Sequence, residues 1–176
     1  MNIIRRFIAC MFVPVFLSTA WGQGQKHGSQ TGAATPVARS GSSSLDTQIN
    51  GTSVRIVATV HQEDIGKQEV PPEERKNNCT YSSFPCSQVT SLRIWVKGAS
   101  LFVPRSVFAD CTDVGNMSLS SEAGVYVLTL TGGDASEAYT VKVFFTSDQV
   151  KKREVYDLES GSMRQSTTYA PPPVLD

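Results

Sequence analysis

Two runs of alternating residues, Val125 to Thr131 and Tyr139 to Thr146, constrain the fold more than any other part of the chain. In the second run Tyr139, Val141, Val143 and Phe145 share one face. A period of two suits an extended segment with one buried side, and it cannot form the stripe of a helix. Both runs are rich in strand-favouring side chains. Gly132-Gly133-Asp134 separates them, and Ser147-Asp148-Gln149 turns the chain after the second. Val150 to Leu158 then returns, and Ser162 to Tyr169 supplies a last strand.

The same signature recurs upstream. Val54 to Val60 places Val54, Ile56, Ala58 and Val60 on one face, with Arg55 and Thr59 pointing away. Leu92 to Val96 directs Leu92, Ile94 and Val96 inward; Lys97-Gly98 reads as a turn, and Leu101 to Val103 pairs back as a hairpin. Pro104 to Asp110 is either one helical turn or a bulged strand end, and Met117 to Ser120 is a short strand. His61 to Val89 is irregular, with one helical turn starting near Pro71-Pro72. Short strands joined by turns favour an antiparallel meander. The expected fold is therefore all-β: a single antiparallel β-sandwich or partly open barrel with little helix.

The 176 residues suffice for one such domain, assigned here to 51–170. Residues 1–20 have the form of a secretory signal peptide: Arg5 and Arg6, an apolar run from Phe7 to Leu17, then Ser18-Thr19-Ala20. The run is too short to span a bilayer, which takes about 20 apolar residues. Residues 21–50 are rich in Gly, Ser, Thr and Gln and read as a disordered leader. Residues 171–176 form a proline-rich tail. The expected location is secreted or periplasmic, with no stable membrane insertion once the signal is removed.

Charge and motifs exclude more functions than they suggest. With 16 basic and 16 acidic residues, nothing favours nucleic acid as a partner. Only 2 histidines are present, and no paired-histidine metal motif, phosphate loop or Gly-x-Ser-x-Gly elbow occurs. Asp110, Asp113 and Gly115 imitate a calcium loop, but Val114 and Ser121 stand where ligands are needed. No metal, cofactor or catalytic residue is assigned.

Of the three cysteines beyond the signal, Cys79 and Cys86 are the expected disulfide, because proximity favours them; Cys86 with Cys111 is the alternative. The bridge would clamp a loop carrying Tyr81 and Phe84. Cys111 lies between Asp110 and Asp113, whose charge opposes a reactive thiolate, and His61 is a distant candidate base. Asp134, Ser136 and Glu137 follow the paired glycines and could present polar groups, although a plain hairpin turn is the simpler reading. Lys151-Lys152-Arg153 is a small basic patch, and Trp95 is a contact residue if its sheet has one wet face. Asn50, Asn78 and Asn116 head glycosylation acceptor triplets.

These features favour a non-catalytic binding or interaction module whose partner is an envelope protein or a glycan. Two alternatives stand beside it: a small hydrolase using carboxylates or Cys111, and an envelope assembly subunit that pairs through an edge strand.

Overall fold

The structure, a computed structural model, describes residues 30–31, 34–63, 79 and 85–171. The expected signal peptide, the expected turn near Pro71, Tyr81 and Phe84 lie outside the described residues.

Among the described residues eleven strands follow in order: β1 Gln30–Thr31, β2 Thr35–Pro36, β3 Gly41–Ile49, β4 Thr52–Glu63, β5 Cys86–Val96, β6 Ala99–Ser100, β7 Val114–Glu122, β8 Val125–Gly132, β9 Tyr139–Phe145, β10 Val150–Asp157 and β11 Met163–Thr168. They form two antiparallel sheets. The larger runs β1-β7-β8-β9-β10-β11, with β2 also on β7; the smaller runs β3-β4-β5-β6. The helical content of the described residues is two short 3-10 turns, Arg105–Val107 and Ala135–Glu137. The all-β expectation holds, and of its two architectures the chain adopts the sandwich.

The core lies between the sheets. Val54, Ile56, Leu92, Ile94 and Val96 of the smaller sheet meet Leu119, Leu128, Leu130, Val141, Val143 and Phe145 of the larger in one buried cluster. Each such side chain contributes about 1.5–3 kcal/mol when fully removed from water. Strand alternation thus decides the inner faces, as the two C-terminal runs predict.

The expected leader needs correction over its second half. Gly41–Ile49, placed by composition in disordered 21–50, is a nine-residue strand paired with β4 from Gly41↔Val60 to Ile49↔Thr52. Leu45 and Ile49 enter the core, and so does Val37, whose amide donates to the Gly115 carbonyl. Serines mislead because β3 is an edge strand with one wet face, so alternate positions need no apolar group. Asn50-Gly51 is the turn that makes the hairpin: φ is 52° and 72° there, the twin positive angles of a type I′ turn.

Other boundaries shift less. β4 extends to Glu63 and β5 begins at Cys86. The short hairpin partner is Ala99–Ser100 rather than Leu101 to Val103, although the Leu101 amide still donates to the Ile94 carbonyl. Pro104 to Asp110 resolves as a 3-10 turn, with proline preceding the turn where no amide is required.

Candidate functional site

The residues with chemical potential fall into two groups. One lies at the end of the sandwich where the 105–113 connection crosses between the sheets. The other lies on the outer face of the smaller sheet.

The crossing is held by polar side chains buried between the sheets. Arg153 of β10 is 2% exposed. Its Nε donates to the Val107 carbonyl at 3.1 Å, Nη1 to Gln165 Oε1 at 2.9 Å and Nη2 to Asp110 Oδ1 at 2.6 Å. The basic patch at 151–153 is therefore not a patch. Alternation along β10 turns Arg153 into the interior, opposite Val143, while Lys152 faces outward opposite Phe144.

Cys111 is fully buried and free, beside this guanidinium. Burial pushes its thiol up to about 12, the Asp110 charge adds to the rise, and Arg153 opposes it. A thiol nucleophile needs the reverse: exposure and a lowered pKa. The suggested base, His61, is exposed on β4. Tyr139 OH donates to the Thr112 carbonyl at 2.6 Å and accepts from the Thr112 amide at 2.8 Å, which ties the crossing to β9. Burial, with the neighbouring Cys111 next, also raises the Tyr139 phenol.

The paired glycines serve this arrangement. A Cβ at Gly132 would lie 2.8 Å from Tyr139 OH, and one at Gly133 would lie 2.5 Å from the Glu137 carbonyl oxygen. Both distances are shorter than a carbon can tolerate. Gly133 also needs its φ of 74°. Asp134 accepts the Ala135 amide at 2.8 Å and caps the 3-10 turn, while Ser136 and Glu137 are exposed. Asp113 accepts from the Ser87 amide and hydroxyl, each at 3.1 Å, and Arg39 approaches it at 3.5 Å. Nearby, a disulfide joins Cys79 and Cys86, with Cα atoms 5.6 Å apart. Among the described residues every buried side-chain nitrogen or oxygen has a hydrogen-bond partner. The described buried polar groups at this end of the molecule are saturated.

The outer face of β3-β4-β5-β6 differs. Register aligns Asp46, Arg55, Trp95 and Ser100 in one row across the four strands. The next row runs Ser44, Val57, Arg93. Continuing the β5–β6 register through the Leu101–Ile94 bond brings Phe102 opposite Arg93. Phe102 is 64% exposed, the largest value among the big apolar side chains described. The Arg55 and Arg93 guanidiniums stand 5.9 and 5.6 Å from the Trp95 ring centroid, within cation–π range.

Trp95 is half-buried, and Val57 beneath this face is buried. Asp46 meets Arg55 at 3.6 Å, with both side chains well exposed. Arg93 is exposed and has no ion-pair partner among the described residues. The face carries an open depression of about 1090 Å³, lined in part by Ser42, Asp46, Gln48, Arg55, Arg93 and Trp95.

The contact residues expected from sequence therefore do not converge. Cys86, Asp134, Ser136 and Glu137 share the end of the sandwich that contains Ser87 and Asp113, linked there by the Gly133 amide to the Asp113 carbonyl. Trp95 lies eight residues beyond Ser87 on the same strand, about 26 Å away at ~3.3 Å per residue. Sequence reasoning missed Arg55, Arg93 and Phe102 as companions of Trp95. Their signal is the strand period: Arg93 and Trp95 are two apart, so they share a face.

The molecule belongs to the all-β sandwiches by architecture. No protein family, curated protein or solved structure matches the chain. Among the described residues no helix is long and apolar enough to cross a membrane, and no group of three His, Cys, Asp or Glu side chains could hold a metal ion.

Proposed function

We propose that the chain is an exported, non-catalytic binding module that meets its partner through the outer face of β3-β4-β5-β6. The observation carrying this reading is Arg93: an exposed guanidinium beside a half-exposed tryptophan, over a depression, with no carboxylate of its own among the described residues. Isolated surface residues need no explanation, but an arginine–aromatic cluster is the composition enriched at recognition surfaces. The Cys79–Cys86 disulfide fits an oxidising compartment and so supports export.

The hydrolase alternative loses its thiol, because Cys111 is buried and held protonated. The edge-pairing alternative would use an outermost strand: β3 of the smaller sheet, whose apolar Leu45 and Ile49 are buried in the core, or β11 of the larger. β11 offers a partner only Met163 as an apolar side chain.

Adsorption of the purified protein to envelopes of the producing cell tests the sheet-face reading. Trp95→Ala and Arg93→Gln should abolish adsorption, whereas Lys152→Gln, on the outer face of the other sheet, should not. Equal adsorption by all three variants overturns it.

A further inference from the structure

We infer that the ligand of this face is an extended acidic saccharide, a polymer of uronic-acid type, lying across the strands. The inference rests on the sheet-face reading above and adds the chemical class of what binds.

Three features point that way. The first is charge. Among the described side chains of its β3–β5 rows the face presents two guanidiniums and one carboxylate, and that carboxylate is already engaged by Arg55. Arg93 is left with a planar fork of donors, which matches a carboxylate better than a lysine ammonium does. The second is the flat aromatic surface. Trp95 is partly exposed with Arg55 and Arg93 near its ring, and Phe102, 64% exposed, presents an open ring on the same face. Flat rings suit the C–H face of a sugar, and little other apolar surface is available because Val57 is covered.

The third feature is the flank. Ser42, Ser44 and Gln48 of β3 and Ser53 of β4 are exposed on this face. Hydroxyls both donate and accept, as sugar hydroxyls require, whereas serine is depleted at protein interfaces. Shape agrees. The depression is open rather than enclosed, unlike a site for a small molecule. The row Asp46–Arg55–Trp95–Ser100 crosses four strands, about 14 Å at ~4.8 Å per strand, longer than a single sugar ring.

The test is calorimetric titration of the whole protein with polygalacturonate, neutral galactan and poly-L-glutamate. Polygalacturonate should bind, and galactan and polyglutamate should bind at least about tenfold more weakly, because neither combines both recognition elements. Arg93→Gln should weaken polygalacturonate roughly tenfold, Trp95→Ala should do so by as much or more, and added salt should weaken it further. Lys152→Gln should bind as the parent does.

The failures are distinguishable. Polyglutamate binding as tightly as polygalacturonate, and lost in Trp95→Ala, overturns the saccharide class and leaves the sheet-face reading standing. Polygalacturonate binding that neither Arg93→Gln nor Trp95→Ala alters overturns both. Absence of binding to every polymer overturns the saccharide class, and adsorption of the same variants to envelopes then decides the face alone.

Discussion

Arg153 and Arg93 are the same side chain in two regions of one sandwich. Arg153 lies between the sheets, with Nε, Nη1 and Nη2 each donating to a defined acceptor. Arg93 lies on the outer face of the smaller sheet, over one face of Trp95, with no carboxylate partner among the described residues. Each region also has an aromatic side chain. Tyr139, beside Cys111, closes both of its hydroxyl bonds on the Thr112 backbone. Trp95, near Arg93, stays half-exposed.

The difference shows why residue type alone does not mark a site. A charged or aromatic group whose bonds are all made inside the fold stabilises it. The same group with bonding capacity turned to solvent is available to a partner. The outer face of the larger sheet supports the distinction. There Lys152 and Lys142 stand over Phe144 and Tyr156, but Glu154 meets Lys152 at 2.7 Å and accepts from Tyr156 OH at 2.7 Å. Those contacts, the Lys152 bond first, hold the Glu154 carboxyl below its ordinary range. Glu154 is buried among these contacts, whereas Asp46 on the other face is well exposed.

Four outcomes would sharpen this contrast or break it. Arg153→Met should destabilise the protein by about 2–4 kcal/mol in urea unfolding, since it strips three acceptors at once. A change below about 0.5 kcal/mol would remove the case that this region is structural. Tyr139→Phe should cost about 1–3 kcal/mol, because the Thr112 amide and carbonyl lose their partner.

Cys111 gives a pH test. Its folded pKa is raised, so its contribution is fully present below the ordinary value of 9.0 and is lost as pH rises towards about 12. At pH 10 the unfolded thiol is largely ionised and the native one is not, which removes about 1 kcal/mol. Cys111→Ala should flatten the stability curve over that window. A native thiol that labels rapidly at neutral pH would contradict the saturated picture. The smallest effect belongs to the other region: Arg93→Gln should shift unfolding by less than about 0.5 kcal/mol, as expected of an exposed surface change. A larger loss would make Arg93 structural as well.

Much of the fold is legible in the sequence, because strand alternation and glycine turns act locally. Val54 to Val60 and Tyr139 to Phe145 form strands with the expected inner faces, and Val125 to Thr131 is a strand as expected. β3 escapes notice because Ser42, Ser44 and Gln48 face water, and only Leu45 and Ile49 record its buried side. Asn50-Gly51 carries the missing signal, a hairpin turn more telling than the glycosylation triplet it also begins.

The site is less legible because it depends on register. Trp95 stands out by itself, but its pairing with Arg55 follows from which residues face each other across β4 and β5. Phe102 joins the face only through the hairpin that follows. Lys151-Lys152-Arg153 misleads for the opposite reason: its three adjacent charges are divided between two faces of one strand.

The most direct test compares Arg93→Gln with Tyr139→Phe in two assays, polygalacturonate affinity and urea stability. The two-region account predicts a crossed result. Arg93→Gln should keep the parent's unfolding midpoint and lose roughly tenfold in affinity, while Tyr139→Phe should lose stability and bind as the parent does under conditions where it is folded. Undiminished binding by Arg93→Gln would contradict it and remove the outer face of β3-β4-β5-β6 as the place where this protein meets its ligand.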